Sequence, residues 1–161
     1  LVLKAHELYR QGKTMDEVAA WLEENKSRSQ AFFTVDDLTY LRRGGRISAV
    51  AATVGTMLDL KPIITEGKNG KLLSTDKVRG RKQALRTLAE LAAQNIDDPA
   101  EAEMYVLHAD APEDADRLVQ LLREKIPGLG NISTRYVGPV IGAHCGPGTV
   151  AVCFFGKERP Y

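Results

Sequence analysis

From residue 60 to residue 155 the apolar period changes repeatedly, and that order limits the folds open to the chain. "KPIITEGKNGKLLSTDKV" carries two short apolar runs around a Gly/Asn turn, which predicts a β-hairpin. "RKQALRTLAELAAQN" switches to the period of an amphipathic helix, and "EMYVLHAD" returns to a strand. "APEDADRLVQLLREKI" reads as a helix with Asp110 as its cap and Pro112 in its first turn. "ISTRYVGPVIGAHCGPGTVAVCFFG" reads as two β-type runs separated by a glycine-rich middle. A hairpin followed by one strand–helix–strand crossover suits an α+β fold, a mixed or antiparallel sheet packed with helices, rather than a doubly wound parallel sheet.

Upstream, residues 2–10 have helical spacing, with a stop at Gly12. Thr14 with Glu17 three residues on is a capping-box signature and predicts a helix over 15–25. The polar break "SRSQ" precedes the β-type run "AFFTV", so a boundary is expected near residue 30. "DDLTYLRRG" predicts a short helix begun by Asp36 or Asp37 and ended at Gly44. "ISAVAATVGTML", 47–58, contains no charged residue and is expected as a helix enclosed by protein or by something equally apolar.

A formal net charge of +1 over 161 residues gives no global attraction to nucleic acid or membrane. No apolar run approaches the roughly 20 residues of a membrane span, and the first residues lack the long apolar centre of a signal peptide. A cytoplasmic location is therefore expected. Two cysteines, Cys145 and Cys153, are too few for a disulfide framework or a four-ligand zinc site and read as free thiols. The chain opens at Leu1 inside a helical pattern, so further sequence ahead of it is expected to belong to the fold.

Chemistry concentrates in three places. In "LTYLRRGGRIS" Arg46 stands between a glycine pair, Gly44 and Gly45, and an apolar segment; an arginine at the edge of a core calls for an anion or several acceptors. In "GPVIGAHCGPGT" His144 is surrounded by Gly142, Gly146 and Gly148, so the backbone there is bent and close to something. His144 reads either as a core histidine bonded to a carbonyl or as a functional group. Cys145 cannot readily use its sequence neighbour as a base, since adjacent side chains diverge on a strand or a helix. Those glycines could also leave amides free for a phosphate, but neither a P-loop nor G-x-G-x-x-G is present. Third, "KVRGRKQALR" sets Lys77, Arg79, Arg81, Lys82 and Arg86 in ten residues, a solvated face or a partner surface. No interleaved aromatics or reading helix suggest nucleic acid.

"FFTVDDLTYLRRGGRIS" and "GPVIGAHCGPGTVAVCFFG", with "LKPIITEGKNGKLLSTDKVRGRKQAL" between them, closely resemble the DegV family of bacterial fatty-acid-binding proteins. The resemblance implies that residues 31–161 are the family's C-terminal lipid-binding domain and residues 1–30 the last helices of an otherwise absent first domain. It implies a long-chain fatty acid as ligand, no cofactor or metal, no catalysis by the protein itself, and a fatty-acid kinase as partner. Arg46 and His144 would lie near the carboxylate, directly or through water. Ile47, Val50, Ala51, Val54, Leu58 and Ile141 would line the acyl tunnel, with Gly44, Gly45, Gly142 and Gly146 permitting close backbone approach. Arg79 and Arg81 are the candidate kinase-docking residues. The family's carboxylate-holding hydroxyl groups come from its first domain, so that domain, on the same or a separate chain, is an expected partner.

The residue chemistry is compatible. Burying an acyl chain contributes about 0.8 kcal/mol per methylene, so a long chain supplies on the order of 10 kcal/mol before ordering costs, with no enzyme-like machinery. Two readings compete with the carrier: an enzyme acting on acyl or phosphorylated substrates with His144 as general base, and a regulatory domain without ligand.

Overall fold

The computed structural model describes residues 1–46 and 59–161. The expected apolar helix at 47–58, and with it the tunnel residues Ile47, Val50, Ala51, Val54 and Leu58, lies outside the described residues.

Two helices lead the chain, α1 (Val2–Arg10) and α2 (Met15–Asn25), and neither buries a residue. The capping box forms as expected: Thr14 Oγ1 accepts from the Glu17 amide, and Glu17 Oε2 accepts from the Thr14 amide at 2.8 Å. Then follow β1 (Ser29–Thr34), α3 (Leu38–Arg43), the hairpin β2 (Leu60–Glu66) and β3 (Leu72–Arg79), α4 (Arg81–Asn95), β4 (Glu103–His108), α5 (Pro112–Lys125), β5 (Asn131–Tyr136), α6 (Pro139–Cys145) and β6 (Val150–Phe155).

The strands form one sheet in the order β3-β2-β1-β6-β4-β5. β4 and β5 are parallel, as a crossover through α5 requires, and every other neighbouring pair is antiparallel. This is the mixed α+β architecture expected. The last strand, β6, lies in the middle, paired with β1 on one side and β4 on the other.

Strand alternation gives the sheet two faces of different character. Phe32, Met104, Val106, Val150, Val152 and Phe154 point to the first face and pack with Leu85, Leu88 and Ala92 of α4 and Leu118 and Leu122 of α5. This is the main core. Alternation along β2 sends Ile63 to that core and Ile64 to a smaller cluster on the opposite face, with Val35, Leu41 and Cys145, and a bulge opposite them leaves Thr75 of β3 without a register partner.

Two expectations are corrected. The glycine-rich middle of the last segment is the helix α6, begun by Gly138 with Pro139 in its first turn. Its three glycines stand at the cap, the middle and the end, which conceals a helical period. Asp110 does not cap α5: it takes a positive φ of 49°, and Ala111 occupies the cap position. The Ala111 amide instead donates to Nδ1 of the buried His108 at 3.3 Å.

Candidate functional site

The "GGR" and "G-x-H-x-G" stretches, about a hundred residues apart in sequence, meet where α3 packs on α6 on the second face of the sheet. Asp37 starts α3, its carboxylate accepting from the Thr39 amide at 2.8 Å. That bond holds the Asp37 carboxyl below its ordinary range.

The other end of α3 explains the glycine pair. The Arg46 amide donates to the Leu41 carbonyl at 2.8 Å and the Gly45 amide to that of Arg42 at 3.1 Å. This is a Schellman closure, and it puts Gly45 at φ 71°, where a side chain is strained. Gly44 serves a different need. A Cβ there would stand 2.1 Å from His144 Nδ1. The contact is reciprocated: a Cβ on Gly146, which closes α6 at φ 80°, would stand 2.3 Å from the Tyr40 ring. Each helix thus offers a glycine to a ring of the other. Tyr40 has no counterpart among the site residues read from sequence; its signal is only its place one helical turn before Gly44.

His144 is half-buried, whereas Arg46 is exposed and donates from Nη1 to the Gly44 carbonyl at 2.6 Å. Among the described residues the Arg46 side chain bonds one group, the Gly44 carbonyl, and the apolar segment 47–58 that follows it lies outside the described residues. Both side chains address Gly44, and the exposed Arg42 and Arg43 add positive charge to the same end of α3. Among the described residues no side chain hydrogen-bonds to His144. Gly142 sits inside α6, and Ile141 is 55% exposed.

Cys145, next to His144, turns the other way into the small cluster with Val35, Leu41 and Ile64. Burial raises its thiol pKa, the opposite of what a nucleophile needs. Both cysteines are free, and burial pushes Cys153 up to about 11.

Away from α3 and α6 the second face carries Phe33, Ala151 and Leu107 in one cross-strand row and Ala31, Cys153 and Tyr105 in the next. At its far end Phe155 stacks on Trp21 of α2, ring centres 5.7 Å apart, with the Arg28 guanidinium 4.9 Å from the Phe155 ring centre. The result is an apolar strip, most of its side chains half-buried, running from the α3–α6 pair to α2.

The basic run is not one uniform face. Arg79, Lys82 and Arg86 are exposed, but Arg81 is turned inward: Nε donates to Asp114 Oδ2 at 2.8 Å and Nη2 donates to the Gly148 carbonyl. Its spacing within the run gives no hint of Asp114, 33 positions away.

Among the described residues no helix is long and apolar enough to cross a membrane. The family model described as "Uncharacterised protein, DegV family" matches residues 1–157. A DegV domain-containing protein of Clostridium perfringens is 42% identical over 159 residues, 99% of this chain and 54% of the relative. The solved structure of a fatty acid binding DegV family protein from Streptococcus agalactiae superposes with a TM-score of 0.83 at 29% identity, over 96% of this chain and 54% of that one. DegV from Bacillus subtilis, described as a fatty acid binding protein, gives 0.75 at 34% identity, over 96% of this chain and 55% of its own. The chain spans about half the length of these relatives.

Proposed function

The chain belongs to the DegV family, and from that premise we propose that it binds a long-chain fatty acid and offers the carboxylate to a kinase. Arg46 and His144 receive the carboxylate, and the acyl chain follows the apolar strip of the second sheet face. The observation that carries this reading is the strip itself: a row of half-buried apolar side chains ending at an arginine and a histidine that share one glycine. A fatty acid has the same polarity profile, and charge-assisted hydrogen bonds to its carboxylate are the strong kind. Fatty acid binding by the S. agalactiae and B. subtilis relatives supports it.

In this reading the protein is a carrier rather than an enzyme. The rest of a DegV protein, on the same or a separate chain, completes the polar site from the side where Arg46 and Ile141 are exposed. Arg79, with Lys82 and Arg86, is the surface for the kinase; Arg81 leaves that assignment because its guanidinium is used internally.

The test is extraction of the purified protein and mass spectrometry for bound lipid. One fatty acid per protein is expected, and turnover of an acyl substrate that is lost in His144→Ala would replace the carrier by an enzyme. Arg79→Glu is expected to slow phosphorylation of bound fatty acid by a kinase while lipid affinity holds; a fall in lipid affinity instead would remove Arg79 from the docking surface.

A further inference from the structure

Arg81 is the first residue of α4, and α4 has no acidic residue in its first turn. A cation there opposes the helix macrodipole, so local energetics do not favour this placement. What it gains lies elsewhere. Its side chain is only 20% exposed, and it bridges three parts of the fold: its own helix, Asp114 in the first turn of α5, and the carbonyl of Gly148.

Gly148 belongs to the turn that follows the His144 helix, and the bonding continues from it. The Gly148 amide donates to the Ala109 carbonyl at 2.7 Å, and the Ala109 amide donates to the Thr149 carbonyl at 3.0 Å. Thr149 Oγ1 donates to the Gly146 carbonyl at 2.8 Å, and the Gly146 amide donates to Gly142, closing α6. On the other side of Gly148 stands Asp36, held by Lys61: a Cβ on Gly148 would be 2.5 Å from the Asp36 Cβ. The turn is gripped between two ion pairs.

We propose that Arg81 is a positioning residue for His144: by holding the Gly148 carbonyl while paired to Asp114, it fixes the turn that ends α6 and so sets where the imidazole stands against Gly44. The ligand consequence rests on the fatty-acid reading above, whereas the positioning itself does not.

The experiment therefore has two arms on Arg81→Gln, Arg81→Lys and Asp114→Asn. In lipid-free protein, amide hydrogen exchange by NMR is expected to quicken about tenfold or more in Arg81→Gln at Gly146 and Gly148, with a shift of the His144 ring resonances, while the α4 and α5 cores keep their protection. Arg81→Lys, which can meet one partner at a time, and Asp114→Asn should give smaller changes of the same pattern. Unchanged Gly146, Gly148 and His144 signals overturn the proposal, as does faster exchange spread evenly over the core. If Arg81→Gln does not fold, the same comparison is read on Asp114→Asn and Arg81→Lys.

In the second arm, palmitate and hexadecan-1-ol are titrated in parallel. Mispositioning of the histidine lowers palmitate affinity and spares the alcohol, whereas equal loss of both contradicts the proposal. Wild-type protein that binds neither lipid removes the fatty-acid reading and leaves the exchange result to decide the role of Arg81.

Discussion

Gly44 and Gly45 are adjacent and make opposite predictions about function. Gly44→Ala puts a methyl group 2.1 Å from His144 Nδ1, so the ring or the helix end must move. Overpacking of this kind costs about 1 to 3 kcal/mol, and fatty acid affinity should fall with it. Gly45→Ala meets no atom within 4 Å but is strained by its positive φ, so a cost of about 1 to 2 kcal/mol with lipid affinity nearly unchanged is expected. Denaturant melts and lipid titrations of the two variants separate the roles. Cys153 makes a prediction about pH. Its thiol keeps its proton in the fold up to about 11 but ionises earlier in the unfolded chain, so its contribution is complete below the ordinary thiol pKa and is lost as pH rises toward 11. Stability measured from pH 8 to 11 should decline less in Cys153→Ala than in wild type, by about 2 kcal/mol at the upper end.

Among the described elements, α3 is a short helix closed by a cap at each end. Six residues do not make a stable helix alone, and Asp37 supplies the cap at one end as Gly45 supplies the closure at the other. Asp37→Ala should cost about 1 kcal/mol and loosen Tyr40 and Arg46 together. Because the Asp37 carboxyl is held below its ordinary range, the cap acts above that range and is lost as pH falls through the lowered value, which circular dichroism in acid can follow against the alanine variant. The elements also mark what the sequence discloses. The ends of α1, α2 and α4 follow from a capping box and unbroken periods, and the hairpin from its Gly/Asn turn. α6 was hidden because its glycines serve as cap, spacer and closure, and Asp110 looked like a cap because the acceptor that takes the Ala111 amide instead, His108, lies three residues before Ala111 and is buried. At the site, the glycines flagged backbone approach, but the rings approaching them, His144 for Gly44 and Tyr40 for Gly146, belong to the packing of two helices far apart in sequence. The inward turn of Arg81 was illegible for the same reason.

At the scale of the molecule, Arg159 ties the segment that follows α2 to the β2–β3 hairpin. Arg159, only 7% exposed, donates to the Lys26, Ser27 and Gly67 carbonyls and pairs with Glu66 at 3.0 Å. It joins the segment after α2 to the hairpin turn, so Arg159→Ala should destabilise by about 2 to 4 kcal/mol in urea melts, with α2 freed first in hydrogen exchange. The central position of β6 has a consequence for how the protein comes into being. On a ribosome, β1 and β4 emerge well before the strand that joins them, and until residue 155 is out each has a raw edge facing no neighbour. Such long-range pairing is slow to find and leaves nascent chains open to wrong partners, so a translational pause or truncation before β6 yields two half-sheets rather than a smaller version of the fold.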